Sequence, residues 1–396
     1  MGDGKRKSEL GGRKLTILSL GYTKDLLSGV KVSGDTMSRL SFYAEHLEKY
    51  LILVLCLKRE RLQARTIGNM EVTPTNGRGY LHALWRMYRL GAAACKRGKV
   101  DVIQAQEAYM TGLVGLFLKW RFGKPLNVCV YGSNPFDKHW RRESWFNFFV
   151  APIARFVLRR VDGVQVDGTL TKKSLEAQGL RAKIFFKPVV PVGVFEKSNV
   201  DEKELREKLL KNGRFDNLFL FVGRMAKQKN VPFLLSAFKQ VLLNFPGACL
   251  LMIGGGSHQS NYEKLAEELG IEESVLWLGG VNYDELKAYY KAADLFVLSS
   301  YYEGFPRVFM EASAAGLPVV TTLVSGVGDG IFHEENALVV EQGDLEGFVS
   351  EVERVLSDVK LYDRLSEGAL KLAKEKYSDA SVYSKIQVEL WEDLAV

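Results

Sequence analysis

The chain has 396 residues, 47% of them apolar and 26% charged, an ordinary globular composition that excludes disorder and fibrous assembly. Its net charge of +7 hides an asymmetry: residues 1–200 carry 34 Lys and Arg against 16 Asp and Glu (+18), and residues 201–396 carry 20 against 31 (−11). The two halves are expected to meet different partners, the basic first half favouring anionic surfaces such as phosphorylated lipids, anionic membranes or nucleic acid.

Residues 1–14 are polar, basic and glycine-rich and read as flexible. No apolar stretch with a small-residue cleavage site follows them, so no secretory signal is expected and the protein is placed in the cytoplasm. Apolar runs such as 50–57 stop at about eight residues, far short of the roughly 20 that a spanning helix needs. Apolar, often β-branched segments then recur between helical patterns at 15–20, 51–57, 102–104, 126–131, 163–166 and 184–186. That alternation predicts parallel strands with crossover helices. Between Val189 and Asp216 it breaks at Pro191 and Gly193 and passes into a Glu- and Lys-rich stretch, 201–214, the expected linker and first helix of a second domain. A second series follows at 218–222, 249–253, 275–278, 295–298, 319–321 and 337–340. The expected fold class is therefore α/β, with two doubly wound Rossmann-like domains facing a cleft. The boundaries are 1–195, 196–378, and a C-terminal helix at 379–396 that crosses back to the first domain. Open parallel sheets bind ligands at the carboxyl ends of their strands, which makes that cleft the default site. The four cysteines, Cys56, Cys95, Cys129 and Cys249, lie 34 to 120 positions apart without a CxxC pair, which speaks against a structural zinc site or a disulfide framework.

Three constellations could carry chemistry. After the 218–222 strand, Gly223 precedes Arg224 and Lys229, two cations five residues apart that can converge on one anion at the sheet edge; an ordinary βα loop with solvated cations is the alternative. The next strand ends in Gly254, Gly255 and Gly256, suited to close approach of a ligand or simply to a tight turn, and lacking the GxGxxG of dinucleotide binders. No nicotinamide or flavin is assigned. In the third, 295–320, a strand runs into Glu303 and Gly304, then Pro306 as the first helical position and a helix to about Ala315, stopped by Gly316 and Pro318. Glu311 then lies roughly 7 to 8 Å along that helix and Glu303 stands before it, so two carboxylates bracket a helix N-terminus able to hold a phosphate. Phe309, Met310 and Ala312 make the helix largely buried, so the Glu311 charge requires a partner, and a nucleotide sugar offers hydroxyls.

In this order the motifs resemble the donor domain of retaining nucleotide-sugar glycosyltransferases of the GT-B fold, glycosyltransferase family four. The matching residues are GRxxxxK at 223–229, the glycine turn at 254–256, VLWLGGV at 275–281, AADLFVLSS from Ala292, and the ExxxxxxxE of Glu303 and Glu311 followed by AxAAGLPVV; they span roughly 217–345. The first half is similar in outline, through GDTMSRL at 34–40, QAQEAYMTGLVG from Gln104 and the stretch from Trp140, to bacterial and archaeal members that build surface glycans. The resemblance implies that Arg224 and Lys229 hold the donor diphosphate and stabilise its departure, that Glu311 binds the ribose hydroxyls and Glu303 the transferred sugar, and that backbone N–H groups of Gly304, Phe305, Arg307 and Val308 bind phosphate and sugar. Two positions depart from the pattern. Pro306 stands where relatives often have Gly and cannot donate. Where relatives commonly carry a His after the 126–130 strand, this chain has Tyr131, Gly132, Ser133 and Asn134, so Tyr131 or Asn134 is the expected replacement; His139 reads as a surface or helix-start residue.

The chain has no DxD and no HExxH, so no metal is expected, and no cofactor either, the nucleotide-diphosphate sugar being a substrate. The expected acceptor is a glycan or a lipid-linked sugar, with an anionic membrane surface as a further partner and the protein on the inner face of that membrane. No helix-turn-helix, RNP or zinc pattern accompanies the basic charge, so nucleic acid is not expected. In 140–160, Trp145, Phe146, Phe148, Phe149 and Phe156 alternate with five arginines, which suits a bilayer interface or, at helical spacing, the core face of a buried helix. Competing functions are a nucleotide-sugar-binding protein without transferase activity and a GT-B-like epimerase.

Overall fold

The computed structural model describes residues 13–28, 36–98, 100–132, 134–187, 200–210, 213–377 and 380–396. Residues 1–12, Gly34 and Asp35 of the 34–40 motif, Ser133, and Pro191 and Gly193 of the expected linker lie outside them. The chain divides into two units, Met1–Val192 with Ala380–Val396, and Gly193–Asp379.

In the first unit, β1 (Thr16–Gly21), β2 (Lys49–Val54), β3 (Arg65–Ile67), β4 (Met70–Pro74), β5 (Val102–Ala105), β6 (Leu126–Val130), β7 (Gly163–Val166) and β8 (Lys183–Phe186) form one sheet in the order β3-β4-β2-β1-β5-β6-β7-β8. All pairs are parallel except β3 with β4, a hairpin that turns through Gly68 at a φ of 55° and was not anticipated. Strands covered on both faces need apolar side chains on both, which is why they read as unbroken runs. One face packs on the helices Tyr80–Lys96, Met110–Phe122 and Trp145–Leu158 through Leu18, Leu20, Ile103 and Val128. The other packs on the helices Thr36–His46 and Ala380–Ala395 through Ile17, Tyr50, Ile52 and Val102.

The C-terminal helix is seated by a buried polar ladder. Asn127 Nδ2 donates to Gln104 Oε1 (2.9 Å), which also accepts from Trp391 Nε1 (2.8 Å), and Gln165 Nε2 donates to Gln387 Oε1 (2.9 Å), which also takes a bond from Lys187 Nζ (3.1 Å). Such groups are costly to bury unpaired, so strands and helix specify one another.

The second unit opens with the helix Glu202–Leu209, capped by Asp201, whose side chain accepts from the N–H groups of Lys203 and Glu204. Strands β9 (Asn217–Val222), β10 (Ala248–Ile253), β11 (Val275–Gly279), β12 (Leu295–Leu298), β13 (Val319–Thr322) and β15 (Leu338–Val340) form a fully parallel sheet ordered β11-β10-β9-β12-β13-β15, and β14 (Ser325–Ile331), a glycine-rich strand absent from the sequence reading, lies between the last two in the chain. Among the parallel strands of each sheet the order reverses once, between β1 and β5 and between β9 and β12. At such a switch point the adjacent loops diverge to opposite faces and leave a crevice.

Candidate functional site

The site lies at the second switch point, in the loops that follow β9 and β12. Gly223 follows β9, and a Cβ there would stand 3.0 Å from Lys229 Cε, so the missing side chain makes room for the lysine stem. A single 3-10 turn, Lys227–Lys229, ends at Asn230 in the left-handed conformation (φ 48°) and sends Lys229 back across the loop. Its Nζ lies 2.6 Å from Glu303 Oε1, with both side chains about 10% exposed. Ser300 Oγ donates to the same carboxylate oxygen (2.6 Å), and Gln228 Nε2 reaches the other at 3.4 Å. Gln228 also donates to the Tyr302 carbonyl (3.0 Å) and accepts from Arg224 (3.3 Å), completing a line from Arg224 through Gln228 and Glu303 to Lys229. The loops are stitched together by Ser299 Oγ on the Lys229 carbonyl (2.8 Å) and by Tyr301 N–H on the Gln228 carbonyl (2.9 Å). A carboxylate offers about four acceptor positions and an ammonium three donors. With these bonds made, one acceptor position on Glu303 Oε2 and two donors of Lys229 remain to serve a ligand.

The helix Arg307–Ala314 stands behind this cluster. It begins one residue later than the sequence suggests, because Pro306 has an extended ψ of 108° and serves as N-cap, with no side chain capping the helix. Phe309 N–H bonds the Pro306 carbonyl (3.0 Å), while the N–H groups of Arg307 and Val308 belong to the first turn, where a helix provides no carbonyl partner. Gly304 and Phe305 are buried in front of it, Phe305 packing edge-on to Phe309 with ring centroids 6.4 Å apart. In the second turn, Glu311 Oε2 accepts from the Tyr290 hydroxyl at 2.8 Å. Burial, with the Glu311 charge beside it, raises the Tyr290 phenol well above its ordinary range and keeps it protonated as a donor. The neighbouring helix Tyr283–Ala292 thus supplies a protein hydroxyl for the carboxylate that the sequence marked as needing a partner.

The glycine turn has a local explanation. Gly254 adopts a φ of 122°, and a Cβ on it would lie 2.0 Å from the Gly223 carbonyl oxygen; one on Gly256 would lie 2.5 Å from that of Met225. With Met225 N–H bonded to the Gly255 carbonyl (3.0 Å), both glycines let the β10 loop pack on the β9 loop and brace the segment that carries Arg224.

In the first unit, Tyr131 accepts a hydrogen bond from Gln165, and Asn134 is held by Ser174 Oγ (3.0 Å) and by Phe136 N–H (3.0 Å), so the structure gives both residues local partners. His139 lies in the first turn of the helix Lys138–Glu143. At the β1/β5 switch point stands a group that sequence reasoning missed. Glu107, 6% exposed, accepts from the N–H groups of Tyr109, Met110 and Thr111 and, at 3.0 Å, from the Tyr22 hydroxyl, whose oxygen is 3.3 Å from that of Tyr80.

Two family models match these units: that of the glycosyl transferases group 1 over residues 201–372, and that of the glycosyl transferase 4-like domain over 55–189. The chain belongs to the GT-B glycosyltransferases of the family-four type. An uncharacterised glycosyltransferase of Methanocaldococcus jannaschii is 39% identical over 163 residues, 41% of this chain and 42% of that protein. The alpha-monoglucosyldiacylglycerol synthase of Streptococcus pneumoniae is 26% identical over 337 residues, 78% of this chain and 73% of that one. A GDP-mannose-dependent phosphatidylinositol monomannoside mannosyltransferase of Mycobacterium tuberculosis is 30% identical over 220 residues, 52% of this chain and 57% of that one. The chain thus spans about half the length of the first and third of these relatives. The fold is also that of sucrose-phosphate synthase from Thermosynechococcus elongatus (TM-score 0.79, 18% identity, 96% of this chain and 99% of that one) and of Anabaena HepE in complex with UDP-glucose (0.71, 19%, 95% and 98%).

Three residues of this candidate site escaped the sequence reading: Gln228, Ser300 and Tyr290. Ser300 and Glu303 form an S-x-x-E pattern, a spacing at which side chains commonly bond, and this signal could have found the serine. Gln228 sits unmarked within GRxxxxK, and nothing local links Tyr290 to Glu311.

Proposed function

We propose that the protein is a retaining glycosyltransferase that moves a sugar from a nucleoside-diphosphate donor to a glycan or lipid-linked acceptor. The observation that carries this reading is the line from Arg224 through Gln228 and Glu303 to Lys229, set before the uncapped end of the helix Arg307–Ala314. Two cations joined through one hydrogen-bonded line, with a helix N-terminus four residues beyond Glu303, supply the positive charge needed for holding a diphosphate and stabilising it as it leaves. Glu311, oriented by Tyr290, takes the ribose hydroxyls, and Glu303 offers its remaining acceptor position to the transferred sugar. In the transfer, the bond between the anomeric carbon and the phosphate oxygen breaks and the acceptor oxygen bonds to the same face of the sugar. The acceptor proton passes to the departing phosphate oxygen. Because protein cations neutralise the diphosphate, the reaction is read as requiring neither metal nor cofactor.

The relatives that act on lipid-borne acceptors, by their names, favour the lipid-linked alternative. The test is incubation with a panel of nucleotide sugars in the presence of EDTA, following nucleoside diphosphate release and the anomeric configuration by proton NMR. Slow hydrolysis with retained configuration is expected. Binding without any turnover, with or without acceptor glycolipids, would make the chain a nucleotide-sugar binder.

A further inference from the structure

The two readings of 140–160 are separated by burial. The helix Trp145–Leu158 turns Val150, Ala151, Ala154, Val157 and Leu158 inward and its rings outward, leaving Trp145 78%, Phe148 63% and Phe149 64% exposed. Its neighbour explains the choice: a Cβ on Gly112 of the helix Met110–Phe122 would lie 3.3 Å from Val157 Cγ1, so the helices meet through small residues and leave no space for a ring. Both sides of one helix are therefore apolar, and only one is covered, the condition that marks an interaction surface. The outer face continues onto the neighbour through the edge-on pair Phe156 and Trp120, with ring centroids 6.3 Å apart.

Charge identifies the occupant. Segments 80–97, 110–124 and 138–160, which contain the three helices of this layer, carry 13 Lys and Arg and one acidic residue, Glu143. Arg159 and Arg160 are exposed at the helix end, with the Arg160 guanidinium 3.8 Å from the Phe156 ring centre; Arg155 is engaged by the Pro135 carbonyl. A second copy of the chain would set two basic faces against each other. An anionic bilayer matches both properties, taking rings into the headgroup boundary and guanidinium groups onto phosphates. We propose that this face, with Trp120, Trp145, Phe148, Phe149 and Phe156 among a rim of arginines, seats the first unit on an anionic phospholipid membrane. The face runs up to the β1/β5 switch point, where Phe146 packs edge-on to Tyr109 at 6.1 Å beside Glu107. Resting on the transferase reading, the inference places the acceptor side of the first unit at the membrane and makes the acceptor a lipid held in it.

The test is flotation of the full chain with vesicles of phosphatidylcholine alone or with one third phosphatidylglycerol, at low and high salt. Binding is expected only with the anionic lipid and is expected to weaken with salt. Trp145→Ser with Phe149→Ser, at positions too exposed to matter for folding, should abolish it, and Arg159→Gln with Arg160→Gln should lower the partition coefficient roughly 30-fold. Absence of flotation with anionic vesicles at low salt overturns the inference. So does unchanged flotation of the Trp145/Phe149 variant, a dimer that this variant dissolves, or displacement from vesicles by single-stranded nucleic acid. Calorimetry with nucleoside diphosphates on the same samples separates the two readings. Lost flotation with intact nucleotide binding removes only the membrane, whereas flotation without nucleotide binding removes the transferase.

Discussion

Lys229 and Glu303 are read as partners whose pairing is adjusted by the donor, and replacing each in turn distinguishes that role from a purely structural ion pair. Removing one member of a fully buried pair costs about 3–5 kcal/mol. Here both side chains keep about a tenth of their surface exposed, and Glu303 retains Ser300 and Gln228, so Lys229→Ala is expected to cost about 2–3 kcal/mol in urea unfolding. Glu303→Gln should cost about as much by stranding the ammonium, and the double variant Lys229→Ala with Glu303→Gln less than the sum by at least 1 kcal/mol. Nucleotide affinity should separate the two. Lys229→Ala gives up a charge-assisted bond to phosphate and should weaken nucleoside diphosphate binding about 10- to 100-fold. Glu303→Gln releases Lys229 from its counter-ion and should leave that affinity unchanged or improved, while transfer falls about 100-fold. Isothermal titration of both variants decides the matter. Equal loss of diphosphate affinity would refute the division of roles, and a coupling energy below about 0.5 kcal/mol would refute the pairing.

Tyr290→Phe removes the donor that orients Glu311 and should weaken nucleoside diphosphate binding several-fold with little effect on the affinity for inorganic diphosphate; titration with both ligands checks it. Gly254→Ala forces a Cβ to within 2.0 Å of the Gly223 carbonyl and should lower the thermal midpoint and the donor affinity together, whereas Gly255→Ala meets no atom nearer than 3.9 Å and should be milder. Burial raises the Glu107 carboxyl, so the folded state keeps that proton to higher pH than the unfolded chain, whose carboxyl titrates near about 4.3. The associated stability is greatest below that value and is lost as pH rises through the folded pKa, so Glu107→Gln should flatten the stability profile on the rising side of pH 4 when thermal midpoints are compared. The Cys95 and Cys129 thiols are pushed up to about 11 by burial, so alkylating reagents at pH 8 should leave both unmodified in the native protein and label them after unfolding.

The parallel strands were legible because a strand covered on both faces must be apolar at every position, so segments such as 218–222 and 249–253 stand out without any alternation. The β3–β4 hairpin did not, although Gly68 and Asn69 form the two-residue turn that announces one, since its flanking runs are short and polar. The strand Ser325–Ile331 was hidden by its three glycines, a composition that reads as loop. Motif spacing placed Arg224 and Lys229 in the loop after one strand and Glu303 and Glu311 before and within the helix after another, yet the bond between Lys229 and Glu303 joins residues 74 positions apart, and no periodicity reports such a contact. The aromatic helix shows the remaining limit most plainly. Its sequence is apolar on two sides, and the inward side was chosen by Gly112 of another helix, a packing fact that composition does not carry.

The central claim is that a nucleoside diphosphate lies between the β9 loop and the N-terminus of the helix Arg307–Ala314. Amide hydrogen exchange of the intact chain, with and without nucleoside diphosphates, tests it without any substitution. The account expects slowed exchange confined to the loops around Gly223–Asn230 and Gly304–Met310, because phosphate oxygens seated at a helix N-terminus accept from the N–H groups of its first turn. Saturating nucleotide that leaves those amides unchanged, or protects others in their place, would contradict it.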